Sequence, residues 1–72
     1  MDYRDRITVE SDKRSGKPCI RHMRITVYDV FDWLAAGKSH EEILEEYPEL
    51  TIEDIKACYQ FASDREKRLV SA

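Results

Sequence analysis

The chain has 72 residues, of which 12 are basic and 15 acidic, for a formal net charge of −3. A chain of this length makes one domain that buries roughly 60% of its unfolded surface, so oligomerisation, most simply a homodimer, is a reasonable expectation. No apolar run approaches the ~20 residues of a membrane span, the charged opening Met1 to Arg6 is no signal peptide, and Cys19 and Cys58 form neither a disulfide framework nor a zinc pattern; a soluble, cytoplasmic protein with two small buried cysteines is expected.

In chain order, Ile7-Thr8-Val9-Glu10 alternates and is β-prone, which predicts a short strand. Ser11 to Lys17 is polar and contains Gly16, so it reads as a loop. Pro18 opens a second extended piece, Cys19-Ile20-Arg21, and His22-Met23 separates it from Arg24-Ile25-Thr26. Pieces this short must pair with each other, lie on helices, or pair across a dimer.

Thr26, with Asp29 three residues on, is a good N-cap for a first helix. Val27, Val30, Phe31 and Leu34 make its apolar stripe at i, i+3, i+4 and i+7, and Gly37 ends it. Ser39-x-x-Glu42 is a capping box opening a second helix, from about His40 to Glu46, with Ile43, Leu44 and Tyr47 as core candidates. Pro48 cannot continue it. Thr51-x-x-Asp54 is an acidic variant of the same box and opens a third helix, from Ile52 to about Lys67. Its inner stripe reads as Ile52, Ile55, Tyr59 and Ala62, flanked by Cys58, and the tail 68–72 is expected to fray.

A short helix, a tight turn and a longer helix form the helix-turn-helix layout, whose commonest use is nucleic-acid binding. The predicted architecture is therefore mainly α: one domain with a strand region over 1–26 and three helices over 27–67.

The charge is unevenly spread. Residues 1–24 carry seven basic and four acidic side chains, and residues 25–72 carry five and eleven. A basic first third joined to an acidic helical part can bind a polyanion through one face only.

The stretch Gly16-Lys17-Pro18-Cys19-Ile20-Arg21-His22-Met23-Arg24-Ile25-Thr26-Val27 resembles a small bacterial family, the domain of unknown function 433, whose pattern there is G-G-K-P-x-I-R-G-T-R-I-x-V. The resemblance continues through Leu34-Ala35-Ala36-Gly37-Lys38-Ser39, Glu41-Glu42-Ile43-Leu44 and Tyr47-Pro48-x-Leu50-Thr51-x-Glu53-Asp54-Ile55. It implies a homeodomain-like three-helix fold with N-terminal strands. It further implies an antitoxin-like protein of a toxin–antitoxin module, which binds its own promoter DNA and caps a ribonuclease-like (PIN-type) toxin. Ser15 stands where the family's first glycine is usual, and His22-Met23 where Gly-Thr is usual. Glycine there signals a turn with positive φ, a conformation that histidine tolerates better than most residues.

Arg21 and Arg24 flank that turn, with Lys17 nearby. Their cations suit three partners: DNA phosphates, the acidic metal site of a PIN-type toxin, or this chain's own acids such as Asp29 and Asp32. On the third helix the outer stripe is Glu53, Lys56, Gln60, Asp64 and Lys67. There Lys56 could read guanine and Gln60 adenine, although carboxylates at Glu53 and Asp54 repel DNA at the helix start. Trp33 and Phe61 fall off the apolar stripes, Phe61 opposite the inner one, so they either pack under the strands or face a partner or second copy. His22 and His40 lie on separate elements, and no nucleophile–base pair, phosphate loop or metal-ligand set is visible, so neither catalysis nor a cofactor is expected. An interaction module with no nucleic-acid role is the alternative reading.

Overall fold

The computed structural model describes residues 2–71, with side chains for 2–67. A 3-10 turn at Tyr3–Asp5 leads into β1 (Ile7–Thr8), which pairs antiparallel with β2 (Cys19–Ile20) in the register Ile7 to Ile20 and Thr8 to Cys19. Cys19 bridges in turn to Thr26, so the strand pieces pair within one chain. Then follow α1 (Val27–Ala35), α2 (His40–Glu46) and α3 (Ile52–Ser71). The last runs four residues past the expected end at Lys67. The backbone is helical to Ser71, and Ala72, the end of the tail expected to fray, lies outside the described residues.

Each helix starts where its capping residues dictate. Thr26 Oγ1 accepts from Asp29 N at 3.0 Å while Asp29 Oδ2 accepts from Thr26 N at 3.0 Å. Ser39 and Glu42 make the same reciprocal pair on α2 at 3.1 and 2.8 Å. Thr51 and Asp54 repeat it on α3 at 3.3 and 2.9 Å. Each box satisfies two backbone donors that a helix start leaves free. At the end of α1, Gly37 adopts φ 99°. Its N–H donates to Leu34 O, and Lys38 N–H donates to Trp33 O, the paired bonds of a Schellman motif.

The core gathers Ile7 and Ile20 from the strands, Val27 and Val30 from α1, Ile43 from α2, Leu50 from the turn, and Ile55, Ala57 and Cys58 from α3. The inner face of α3 differs from the expected stripe. Tyr59 is 43% exposed, while Asp54 and Ala57 are buried and Phe61 is half-buried against the core. Phe61 therefore lies on the inner side, not opposite it. The helix is rotated because a paired carboxylate at Asp54 takes a core position that an apolar stripe would not assign to it.

Between β2 and Thr26 the chain folds into a hairpin. Ile20 N–H donates to Ile25 O at 2.9 Å and Val27 N–H to Pro18 O at 3.0 Å. Its tip is a turn closed by Met23 N–H to Ile20 O at 2.8 Å, with Arg21 at φ 44° and His22 at φ 65°. Positive φ at both central residues is the pattern of a type I′ turn, which glycine and asparagine favour. The left-handed conformation that the family's glycine signals is thus kept with histidine in its place. Replacing His22 by glycine is expected to stabilise the domain by about 1 kcal/mol, because it relieves the clash of Cβ with the following carbonyl. A rise of roughly 5 °C in melting temperature would report this. Arg21→Gly removes the same strain and is expected to destabilise instead, because its side chain is needed below.

Candidate nucleic-acid interface

The hairpin tip is fastened to the start of α3. Arg21 lays its guanidinium on Asp54 as a fork, Nε to Oδ1 at 2.9 Å and Nη2 to Oδ2 at 2.8 Å. Nη2 also donates to the Glu49 carbonyl, at 2.7 Å, in the turn between α2 and α3. Arg6, just before β1, donates Nη1 to Asp54 Oδ1 at 2.9 Å. Asp54 itself is fully buried. Burial alone would raise its pKa, but the fork from Arg21, the Thr51 N–H and the Arg6 guanidinium outweigh that and lower it from 3.8 to about 2. Asp54 is thus a charged, neutralised hub joining hairpin, strand and helix. Of the two carboxylates expected to repel DNA at the helix start, only Glu53 faces solvent.

A second loop braces the tip from the other side. Arg14, Ser15 and Gly16 all have positive φ, at 50°, 61° and 78°. From this turn Arg14 Nη1 donates to Asp29 Oδ2 at 2.9 Å and to the Arg24 carbonyl at 2.5 Å. Lys13 Nζ donates to the His22 carbonyl. The two left-handed turns are therefore used alike: each sends an arginine to the acid of a Thr-x-x-Asp capping box, Arg14 to Asp29 on α1 and Arg21 to Asp54 on α3.

This settles where the seven cations of residues 1–24 go. Arg4 pairs with Asp2, Arg6 and Arg21 with Asp54, Lys13 with Glu10, and Arg14 with Asp29. Lys17 and Arg24 are exposed, and among the described residues neither side chain has a hydrogen bond or ion pair. Arg21 meets one of the chain's own acids, as one of its three readings allowed, but that acid is Asp54 rather than Asp29 or Asp32.

The helical face carries the opposite charge. Glu41, Glu42, Glu45 and Glu46 on α2, Glu49 in the turn and Glu53 on α3 are all exposed. Lys38, paired with Glu46, and exposed Lys56 offset part of this charge. Gln60 shares the outer face of α3 with Lys56 and is also exposed, while Asp64 accepts a hydrogen bond from Tyr3 Oη at 2.6 Å.

The off-stripe aromatics have internal partners. Trp33 stacks on Tyr47 with centroids 4.3 Å apart and planes 10° from parallel. Phe61 meets the Tyr3 ring edge-on at 5.8 Å, under the N-terminal turn. The large hydrophobic side chains most exposed on the helices are instead Tyr28 on α1, at 40%, and Tyr59 on α3, at 43%. Tyr59 touches Phe31 and hydrogen-bonds His40 Nε2 at 2.8 Å. His22 lies 3.4 Å from Glu10. No group of three metal-ligating side chains occurs among the described residues, and no helix there is long and apolar enough to cross a membrane.

The model of a protein family of unknown function, DUF433, matches residues 7–62. The chain belongs to the DUF433 family. A crystal structure of a DUF433 member protein from Anabaena variabilis superposes with a TM-score of 0.81 at 25% identity, over 93% of this chain and 66% of that one. The uncharacterized protein y4eO of Sinorhizobium fredii is 39% identical over 59 residues, 82% of this chain. The chain spans 27% of the length of y4eO. The DUF433 match covers the hairpin, all three capping boxes and the Arg14–Asp29 and Arg21–Asp54 pairs, so the site described above lies inside the family region except for Arg6.

Proposed function

We propose that this DUF433 domain is an antitoxin-like regulator that binds DNA upstream of its own gene and also binds a ribonuclease-like, PIN-type toxin, acting in the cytoplasm as a dimer. One observation carries the DNA-binding part. The hairpin tip is pinned by Arg21 to the turn of the helix-turn-helix and to the first turn of α3, the end at which such helices meet base edges. A basic loop and a recognition-helix start thereby form one surface. The toxin-binding part rests on the family resemblance and on the exposed cations, which suit an acidic metal site as well as a phosphate.

The test is fluorescence anisotropy of the purified protein with a duplex from upstream of its gene and a scrambled duplex of equal length. Tighter binding to the native duplex, weakening linearly in log–log form as salt rises, is the expected result. Equal, salt-insensitive readings on both duplexes would remove the DNA-binding reading.

The six exposed glutamates of α2, the turn and α3 favour a second reading, a protein-interaction module with no nucleic-acid role. In that reading the contact face centres on Tyr28 and Tyr59, because Trp33 and Phe61 are engaged within the chain.

A further inference from the structure

We infer that the hairpin acts as a basic wing beside α3, in which Arg24 and Lys17 grip DNA phosphates while Arg21 is a positioning residue that holds the wing in place. The inference rests on the DNA-binding reading above and divides its cations by task.

Three observations lead to it. First, charge must come from the hairpin. The exposed surface of α2, the turn and the first turn of α3 carries six glutamates, and such a surface repels a phosphate backbone. Lys56 is the single unpaired cation described on the helices near it.

Second, the chain's own acids consume five of the seven cations in its first third, and the two left over are both on this unit. Arg24 sits at the tip, across the turn from Arg21. Lys17 ends the left-handed turn that braces the tip. A cation already forked onto a buried carboxylate, as Arg21 is, has little charge to offer a second anion. One without an acid partner releases a DNA counterion at full strength.

Third, the tip is tied down by hydrogen bonds. Its backbone carbonyls at His22 and Arg24 accept from Lys13 and Arg14, and its amide at His22 donates to Thr8 Oγ1 at 3.2 Å. Both central residues are held at positive φ. A loop fixed in this way places Arg24 without the ordering entropy that a free loop would lose on binding.

The experiment compares wild type, Lys17→Ala/Arg24→Ala and Lys56→Ala on the upstream duplex over a salt series, with melting temperature as the folding control. Lys17 and Arg24 make no contact with the rest of the chain through their charges, so the double variant keeps the wild-type melting temperature. Each phosphate contact contributes about 0.9 to the log–log salt slope, so two contacts change the slope by about 1.8. Between about 50 and about 200 mM salt, the double variant is then expected to lose roughly twelvefold less affinity than wild type does. Lys56→Ala leaves the slope within about one unit. A double variant with the wild-type slope, in a protein that does bind the duplex, overturns the wing. A wild type that shows no salt-dependent binding overturns the DNA reading and the wing together.

Discussion

Replacing Asp54 by asparagine is expected to cost the domain about 3 kcal/mol, close to the whole net stability of about 3–5 kcal/mol that a core of this size supplies. The side chain is fully buried. Asparagine keeps an oxygen for the Thr51 N–H, so the helix cap survives in part. What disappears is the countercharge for two guanidiniums that both bond Oδ1. Arg6 and Arg21 are then left facing one another across a neutral amide. Removing one partner of a buried pair costs about 3–5 kcal/mol, and the low end applies because the two arginines keep 30% and 38% of their side-chain surface in water. Urea unfolding should show a lowered midpoint, and melting should fall by roughly 15 °C.

The pH dependence gives a second readout of the same group. Asp54 has its pKa lowered from 3.8 to about 2 in the folded state. A depressed carboxylate contributes its stability in full above the unfolded value and loses it as pH falls through the folded one. For Asp54 that contribution is on the order of 2 kcal/mol, present above about pH 4 and gone below about pH 2. Asp29 also has a lowered pKa: burial pushes it up, and the Thr26 N–H with the Arg14 guanidinium more than offsets this. Wild-type acid denaturation therefore sums several groups. The difference between wild type and Asp54→Asn isolates one of them, and it should shrink as the pH drops from 4 toward 2. A difference that stayed constant over that range would mean that Asp54 is not held as a charged group.

How much of this was legible in the sequence depends on how far apart the interacting residues lie. The three helix starts were legible because a capping box is local: Thr26 with Asp29, Ser39 with Glu42 and Thr51 with Asp54 each span three residues. The left-handed turn was legible from a family glycine position filled here by His22. The role of Asp54 was not. Its sequence neighbours mark it as a cap acid in a helix's first turn, which normally points at solvent. The residues that bury and neutralise it, Arg21 and Arg6, lie 33 and 48 positions away. The rotated face of α3 follows from the same cause, since apolar periodicity has no place for a core carboxylate and so centred the stripe on Tyr59. The site was half legible. Lys17 and Arg24 were named from their place beside the His22-Met23 turn, but what separates them from Arg21 is the presence of an acid partner, and only the folded chain shows that.

Truncating Ile20 to alanine tests the same junction of hairpin and α3 from its apolar side. Ile20 is fully buried and directly precedes Arg21. It pairs with Ile7 across the two-stranded sheet and holds both hydrogen bonds that shape the tip, its N–H to Ile25 O and its carbonyl from Met23 N–H. Ile→Ala in a core costs about 2–5 kcal/mol through lost transfer energy plus the cavity left behind. In so small a core the middle of that range, about 3.5 kcal/mol, is expected from urea titration, with Ile20→Val costing only about 1 kcal/mol. The more telling quantity is the coupling with Asp54. Without the Ile20 side chain the tip is free to shift, and the Arg21 fork on Asp54 loses its alignment, so part of what Asp54→Asn removes has already gone. The double variant Ile20→Ala/Asp54→Asn is therefore expected to be less destabilised than the sum of the singles, by about 1 kcal/mol. Because that sum exceeds the stability of the domain, the cycle is best run in a background carrying His22→Gly and a stabilising osmolyte. Strict additivity would show that the Arg21–Asp54 fork keeps its alignment without the Ile20 side chain, and that the tip is held against α3 independently of the strand core.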